Sequence, residues 1–425
     1  MKPERAPAPT PEGPPERRPE GPPARTLAFP EFVALLALLF ATIAYSIDAM
    51  LPALTVIAAD LSPEDVNRAQ LVVTSFVLGM GFGTLFWGPV SDAFGRKRVV
   101  LFGFAIYIVA ALVAAEAQSM EVLLAARLVQ GLGAAASRVV TLAIVRDLYK
   151  GRMMARVTSI IMTVFIIVPA VAPAIGAGII WVWDWRAVFW SCVVFGLVAG
   201  GWLTLRQPET HPPERRRPLR PGRLAAAVVE VVTTPRVPIY IVVMSMGFGQ
   251  MFIFLSTAPQ VFTDVFDRGA TFPFWFAAVA LIAGLAGILN AALVMRLGMR
   301  RLATFAYGLQ SAVSVAFLAQ WLFLPLPEPF GFFAFFLYMS AAFFMVGLTF
   351  GNLNALAMEP LGHIAGLAAA VIGSLSTMGA VLIAVPVGQS YDGTPVPLVA
   401  GVAICSGIAF LLMRSTRRAE EEPAE

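Results

Sequence analysis

The chain has 425 residues, of which 58% are hydrophobic and only 13% are charged. A soluble protein of this size needs many more charged residues to cover its surface, so the composition excludes an ordinary soluble domain. The formal net charge of +4 does not indicate nucleic-acid binding, because the charges lie in short connections at one face of a predicted membrane protein.

Apolar runs of about 20 residues recur along the chain, and each is long enough to cross a bilayer as an α-helix. They predict an all-α membrane protein with twelve transmembrane helices in two six-helix halves, residues 29–205 and 237–414. The predicted spans are residues 29–53, 70–90, 99–117, 122–145, 155–181, 186–205, 237–262, 271–294, 302–324, 331–354, 364–388 and 396–414.

Three polar segments lie outside these spans. Residues 1–28 are rich in proline and have no apolar core, which predicts a disordered cytoplasmic tail. Residues 206–236, with the stretch RQPETHPPERRRPLRPGR, form a predicted cytoplasmic linker between the halves. Residues 415–425 are predicted to be a charged cytoplasmic tail.

The distribution of basic residues predicts the orientation. Of the 30 Lys and Arg residues, 25 lie in the tails, the linker and the connections on one side of the predicted membrane. The connections on the other side contain only Arg68, Arg186 and Arg268. By the positive-inside rule the first side is cytoplasmic. We therefore expect a multi-pass protein of the inner membrane with both termini in the cytoplasm.

A short basic hairpin occurs in both halves. GPVSDAFGRKR, at residues 88–98, joins the second and third spans. GMRR, at residues 298–301, follows the eighth span, where Met295 stands in place of the counterpart of Asp92. Six plus six spans with a repeated hairpin indicate an internally duplicated transporter.

Several motifs carry a family resemblance. GPVSDAFGRKRVVL resembles the loop 2–3 motif of the major facilitator superfamily, and RLVQGLGAAA resembles its fourth-helix motif. VPAVAPAIGA resembles the fifth-helix motif of its antiporters. SIDAMLPALTVIAADL, VRDLYKGRMMARV and NALAMEPLGHIAG resemble the bicyclomycin/chloramphenicol-resistance (Bcr/CflA) group of drug:proton antiporters. The resemblance covers residues 29–414 and implies the twelve-helix major facilitator fold.

Asp48 is the one acidic residue deep in the first predicted span, and Arg127 lies at a similar depth in the fourth. A carboxylate and a guanidinium are each costly inside a bilayer and much less so as a pair. We predict an Asp48–Arg127 ion pair that takes up and releases a coupling proton. The resemblance also implies proton coupling at Arg127. A static structural ion pair is the alternative.

Arg138 follows Arg127 by eleven residues, almost three helical turns, so both lie on one face of the fourth span. That face also carries Gln130 and small residues, which indicates the bundle interior. Arg138 is predicted to bind an anionic or carbonyl group of the substrate, or alternatively to reach the cytoplasmic surface near Asp147. Six residues of other spans are predicted to line the substrate cavity, or only to contact a neighbouring helix: Tyr45, Gln250, Phe252, Asn290, Asn352 and Asn354.

The first hairpin is predicted to act in gating. Gly88 permits a close helix neighbour. Asp92 can bind Arg96, or it can approach the start of the eleventh span near Ile364, where a carboxylate meets the positive end of a helix dipole. Such a contact would hold the cytoplasmic side shut. A simple topology anchor is the alternative. The predicted gating residues are Gly88, Asp92, Gly95, Arg96 and Arg98.

The fifth span contains Pro169, Pro173 and Gly176. Proline bends a helix and glycine lets backbones approach, so we expect a close contact with the small residues of the eighth span. Such a contact between the halves would seal the cavity against proton leak. Ordinary membrane Pro and Gly residues are the alternative.

These features predict a proton-coupled exporter of small, mostly apolar or amphipathic compounds that works by alternating access. The alternatives are a proton-linked metabolite carrier or a transporter-like membrane sensor. We expect no enzymatic activity, because the spans contain no nucleophile–base set or metal-ligand cluster, and no ATP site, because no GxxxxGK[ST] motif occurs. The expected partners are a small-molecule substrate, protons and the lipid bilayer. No cofactor, metal or nucleic acid is expected, and the resemblance implies a monomer.

Overall fold

A computed structural model describes residues 27–216 and 218–421. Within these ranges the chain is helical and has no β-strand. The α-helices are α1 Phe29–Asp48, α2 Leu54–Leu61, α3 Leu71–Phe94, α4 Arg96–Ala115, α5 Met120–Leu148, α6 Gly151–Val182, α7 Arg186–Arg206, α8 Pro221–Thr233, α9 Val237–Asp264, α10 Phe272–Leu297, α11 Met299–Phe323, α12 Phe330–Met358, α13 Ala365–Gln389 and α14 Val396–Glu421. The predicted tail at residues 1–28 lies outside the described residues except for its last two positions.

Eleven helical stretches of the described chain are long and apolar enough to cross a membrane. One of them, Phe330–Gln389, is 60 residues long and contains both α12 and α13. The two helices meet at a 3₁₀ turn, Glu359–Ile364, where Leu361 has non-helical backbone angles (φ −108°, ψ 21°). The described chain therefore has twelve spans, which confirms the predicted all-α membrane class.

Most contacts between helices are made within one half of the molecule. The main contacts between the halves join α3 to α13 and α6 to α10. Helices α4 and α7 pack within the first half, and α11 and α14 pack within the second. The remaining spans, α1 and α5 of the first half and α9 and α12 of the second, also pack mainly within their own halves.

The first span is longer than predicted and is interrupted in its middle. Pro52 has no N–H to donate to the carbonyl oxygen of Asp48, so α1 ends at Asp48. A 3₁₀ turn at Leu51–Ala53 follows, and the chain continues as α2 to Leu61 rather than ending at residue 53. Asp48 therefore lies at a break in the first span, which we call the α1 break (residues 48–53).

The linker contains a helix that the sequence reading did not predict. In α8, Ala227 and Val231 are one helical turn apart and both are buried, on the side that packs against α9 and α13. The last helix is also longer than predicted, since α14 extends past residue 414 to Glu421. We call the side of the molecule that carries α8 the linker face and the opposite side the far face.

Candidate functional site

Arg127 is fully buried at the centre of the first half, where it holds three helices together. Its guanidinium donates to the carbonyl oxygens of Ser46 in α1 (3.0 Å) and Val72 in α3 (3.0 Å), and to Oε1 of Gln130 in α5 (2.8 Å). It also lies 4.4 Å from the centre of the Phe76 ring. Each of the three guanidinium nitrogens thus donates to one acceptor, as burial of a guanidinium requires.

The predicted ion pair between Asp48 and Arg127 is not formed in this structure. Asp48 is only 4% exposed, yet its carboxylate has no hydrogen bond or ion pair with any described residue. Arg127 instead binds the backbone at Ser46, two residues earlier in the chain. The Asp48 carboxylate and the Arg127 guanidinium are not bonded to each other, and the guanidinium donates instead to Ser46, Val72 and Gln130.

Helix α6 packs tightly against the α1 break. A Cβ atom added to Gly176 would overlap the carbonyl oxygen of Ala49. Glycine is therefore required where α6 crosses the residue next to Asp48. We predicted that Pro169, Pro173 and Gly176 would form a close contact between the halves. Helix α6 does pack against α10, but the close approach at Gly176 is made within the first half.

The polar residues predicted to line a cavity in the first half differ in their surroundings. Tyr45 directs its hydroxyl to Ser191 (2.6 Å) and stacks on Phe195 of α7, so its contacts lie within its own half. Gln130 binds Arg127 through its oxygen, while its Nε2 atom is buried without a partner. Arg138 is half-buried, and no described residue forms a hydrogen bond or ion pair with it.

The second half contributes amides and aromatic rings without charged groups. Gln250 of α9 is fully buried, and neither polar atom of its side chain has a partner among the described residues. Asn352 of α12 donates to Asn290 of α10 (2.7 Å), so two of the predicted residues bind each other. Asn354 is half-buried, and the buried Phe252 packs beside Phe248. No hydrogen bond joins these residues to those predicted to line the cavity in the first half.

The basic hairpin is held within its own half and by the linker. Arg96 binds Asp92 (2.6 Å) and Asp147 of α5 (3.0 Å). Glu209 of the linker accepts hydrogen bonds from the backbone N–H groups of Arg96 (2.9 Å) and Lys97 (3.2 Å). Gly95 has a φ of +99°, a conformation that favours glycine.

Of the two contacts predicted for Asp92, the one with Arg96 is formed, and Asp92 forms no hydrogen bond or ion pair with the described part of the second half. Arg98 is exposed. An added Cβ on Gly88 would make only an ordinary contact, 3.7 Å from Val139. The close approach of α3 to α5 is made instead at Gly79, where a Cβ would overlap the Leu128 carbonyl oxygen.

Sequence reasoning missed a set of four amide side chains at the far face, Asn67, Gln70, Gln260 and Gln389, which we call the amide clamp. Gln70 donates to Gln260 (2.5 Å), Asn67 donates to the Tyr391 carbonyl oxygen (2.8 Å), and Gln389 donates to the Asn67 carbonyl oxygen (2.8 Å). Every hydrogen bond between the halves that joins two described residues uses one of these four side chains. The structure is therefore closed at the far face.

The sequence profile of the Major Facilitator Superfamily matches residues 34–384 of the chain. The chain is 32% identical over 388 residues to the bicyclomycin resistance protein homolog of Haemophilus influenzae, covering 89% of this chain and 94% of that protein. It is 28% identical over 378 residues to the multidrug resistance protein MdtL of Citrobacter koseri, covering 88% and 92% of the two chains.

A solved structure of a D-xylose–proton symporter is similar in fold, with a TM-score of 0.72. The superposition covers 90% of this chain and 96% of the symporter at 14% sequence identity. This similarity extends over both halves and supports the fold alone.

Proposed function

The chain belongs to the Major Facilitator Superfamily, and we propose that it is a proton-coupled exporter of small, mostly apolar or amphipathic compounds, as in multidrug efflux. The observation that carries the proposal is the 32% identity to a bicyclomycin resistance protein homolog across 94% of that relative. The predicted resemblance to the bicyclomycin-resistance group is thereby confirmed, and a role in antibiotic resistance follows from it.

In this proposal the linker face is cytoplasmic in the inner membrane, because 25 of the 30 Lys and Arg residues lie in segments assigned to that side. The two halves, residues 29–205 and 237–414, rock about the central helices α1, α5, α9 and α12. The closed amide clamp then corresponds to a state closed to the outside. A single copy of the chain supplies both halves, and protons are the coupling ion.

Asp48 is the proposed proton carrier. A buried carboxylate without a cation or hydrogen-bond donor is costly, so Asp48 is most stable as the neutral acid in the far-face-closed structure. When it loses the proton, the new carboxylate lies two residues from Ser46, whose carbonyl oxygen holds Arg127. We propose that Arg127 then exchanges this carbonyl for Asp48, which displaces the α1 break.

Flux measurements in vesicles with an imposed pH gradient test the proposal. The purified chain is reconstituted into liposomes, and a panel of compounds that includes bicyclomycin is screened under gradients of both signs. We expect uphill movement of compounds against the direction of proton flow, with no movement when the gradient is dissipated. Movement of a compound in the same direction as protons would favour a metabolite carrier. Flux that does not depend on the pH gradient would contradict proton coupling.

A further inference from the structure

Arg138 is an arginine within a predicted span that the proposed proton mechanism does not use. It lies in α5, eleven residues after Arg127, and its side chain is half-buried. Arg127 has three hydrogen-bond acceptors, whereas Arg138 has no hydrogen bond or ion pair with any described residue. A guanidinium within a membrane span is costly without an acceptor, which makes an unpaired one a marker of a binding function.

The face of α5 that carries Arg138 is the interior face. Eleven residues are close to three helical turns, so Arg138 points in the same direction as the fully buried Arg127. The outward face of α5 lies on the opposite side, where Val122 and Val129 are 45% and 43% exposed. The accessible surface of Arg138 therefore belongs to the interior of the bundle rather than to the lipid-facing surface.

A second polar group on the same face also lacks a partner. Thr141 lies three residues after Arg138 and is fully buried, and its hydroxyl oxygen has no hydrogen-bond partner among the described residues. Many other buried hydroxyls of this protein donate to a carbonyl oxygen of their own helix, as Ser245 does to Ile241 (2.9 Å). Arg138 and Thr141 thus present two adjacent donors without acceptors on one stripe of α5.

Four spans of the second half offer no negative charge deep in the bundle to neutralise Arg138. Helices α10, α12 and α13 contain no Asp or Glu, and the only acidic residue of α9 is Asp264 at its end. The second half offers uncharged groups instead: the unpartnered amide of Gln250, and the rings of Phe248 and Phe350, whose centres lie 4.4 Å apart. With Asp48 neutral, the centre carries an excess of positive charge.

We propose that Arg138, assisted by Thr141, binds an anionic group of the substrate, and that the preferred substrates are amphipathic anions rather than lipophilic cations. The guanidinium offers a planar set of donors that suits a carboxylate or a sulfonate. The aromatic rings of the second half accommodate the apolar body of the same molecule. This inference rests on the proposed export function and specifies its substrate class.

Two probes that share one ring system and differ in charge test the inference. 1-Naphthalenesulfonate and (1-naphthyl)trimethylammonium are titrated calorimetrically into the full chain in nanodiscs of uncharged lipid. We expect the wild-type protein to bind the anion about 10- to 100-fold more tightly than the cation, the range that a charge-assisted hydrogen bond supplies. Arg138→Gln is expected to remove this preference and to leave cation affinity within about threefold.

Thr141→Val is expected to weaken anion binding by less than Arg138→Gln does. Equal wild-type affinities for the two probes, no saturable binding of either, or an unchanged anion affinity in Arg138→Gln would each overturn the inference. The comparison of probes on the wild-type protein needs no variant, so misfolding of Arg138→Gln cannot obscure the result. Binding in nanodiscs needs no proton gradient. A protein that shows gradient-driven efflux but no anion preference would overturn this inference and leave the proposed function intact.

Discussion

Arg127 and Arg138 of α5 have opposite surroundings although they lie on one helix face. The guanidinium of Arg127 donates hydrogen bonds to Ser46, Val72 and Gln130, and so joins α1, α3 and α5. Arg138 has no acceptor among the described residues. The sequence showed that both arginines face the bundle interior. It could not show which of them was already bonded, because that depends on backbone carbonyls of other helices.

Replacement of Arg127 by lysine tests its structural contribution. The Arg127→Lys ammonium cannot reach all three acceptors, since they match a planar fork of donors, so buried acceptors lose their partner. We expect the unfolding temperature of the purified protein to fall by about 5 °C or more, measured by intrinsic fluorescence during heating. Arg98→Lys, at an exposed position, is the control and should change it little. Equal unfolding temperatures for the two variants would contradict the role of Arg127.

The elements of the first half are organised around the α1 break. Pro52 ends α1 at Asp48, and Gly176 of α6 permits the closest approach to the resulting turn. The fifth-helix motif therefore supports the residue that we propose to carry the proton. The sequence predicted that Gly176 would permit a close contact, but it did not predict Ala49 as the partner. A glycine indicates that a neighbouring backbone can approach, and it does not indicate which neighbour does so.

A matched pair of glycine substitutions tests this contact. Gly176→Ala places a methyl group against the Ala49 carbonyl oxygen, so helix α6 or the α1 break must shift. We expect strongly reduced proton-driven flux in reconstituted vesicles. Gly178→Ala, two residues later, meets nothing within 4 Å and should transport at the wild-type rate. Similar flux in the two variants would show that the contact is dispensable.

The basic hairpin has a separate test. Arg96→Gln leaves Asp147, which is 19% exposed, without its cation, and removes the ion pair with Asp92. Breaking a partly buried pair by removal of one partner is destabilising. We expect a lower unfolding temperature and slower flux for Arg96→Gln, with little change for Arg98→Gln at an exposed position. If flux and unfolding were unchanged in both variants, the hairpin would serve only as a positively charged topology anchor.

The whole molecule is closed at the far face by uncharged side chains. Alternating access requires these contacts to break without a large free-energy cost, and hydrogen bonds between amides are weaker than charge-assisted ones. The clamp joins the two halves at Asn67 and Gln70 on one side and Gln260 and Gln389 on the other. It therefore suits a gate that opens repeatedly.

Loss of one clamp residue should open the far face. A cysteine introduced at the buried Thr257, beside Gln70, reports accessibility to a membrane-impermeant maleimide added at that face, after the two native cysteines are replaced. Gln70→Ala is expected to increase the labelling rate several-fold, because the bond to Gln260 is lost. Gln320→Ala, an amide outside the clamp, is the control. Unchanged labelling in Gln70→Ala would contradict the role of the clamp.

At this scale the sequence predicted most of the architecture. Runs of apolar residues indicated the spans, whereas the orientation inferred from the charge asymmetry stays a prediction. The amide clamp was not predictable, because single amides at the ends of spans carry neither periodicity nor charge. The Asp48–Arg127 pair was predicted from depth, from the cost of an isolated charge and from the family resemblance, and none of these includes the carbonyl oxygens of Ser46 and Val72 that bind Arg127. Helix α8 was not predicted because the linker around it is polar and rich in proline. Its buried side consists of a short apolar stripe that includes Ala227 and Val231.

Proton release on substrate binding tests the central claim, that Asp48 carries the coupled proton, most directly. The purified chain is placed in a weakly buffered solution with a pH-sensitive dye, and the compound with the highest flux is added. The wild-type protein should release protons, and so should Asp60→Asn, which makes the same chemical change at the far end of the first span. Asp48→Asn should bind the compound without releasing protons. Wild-type proton release from Asp48→Asn would contradict the account.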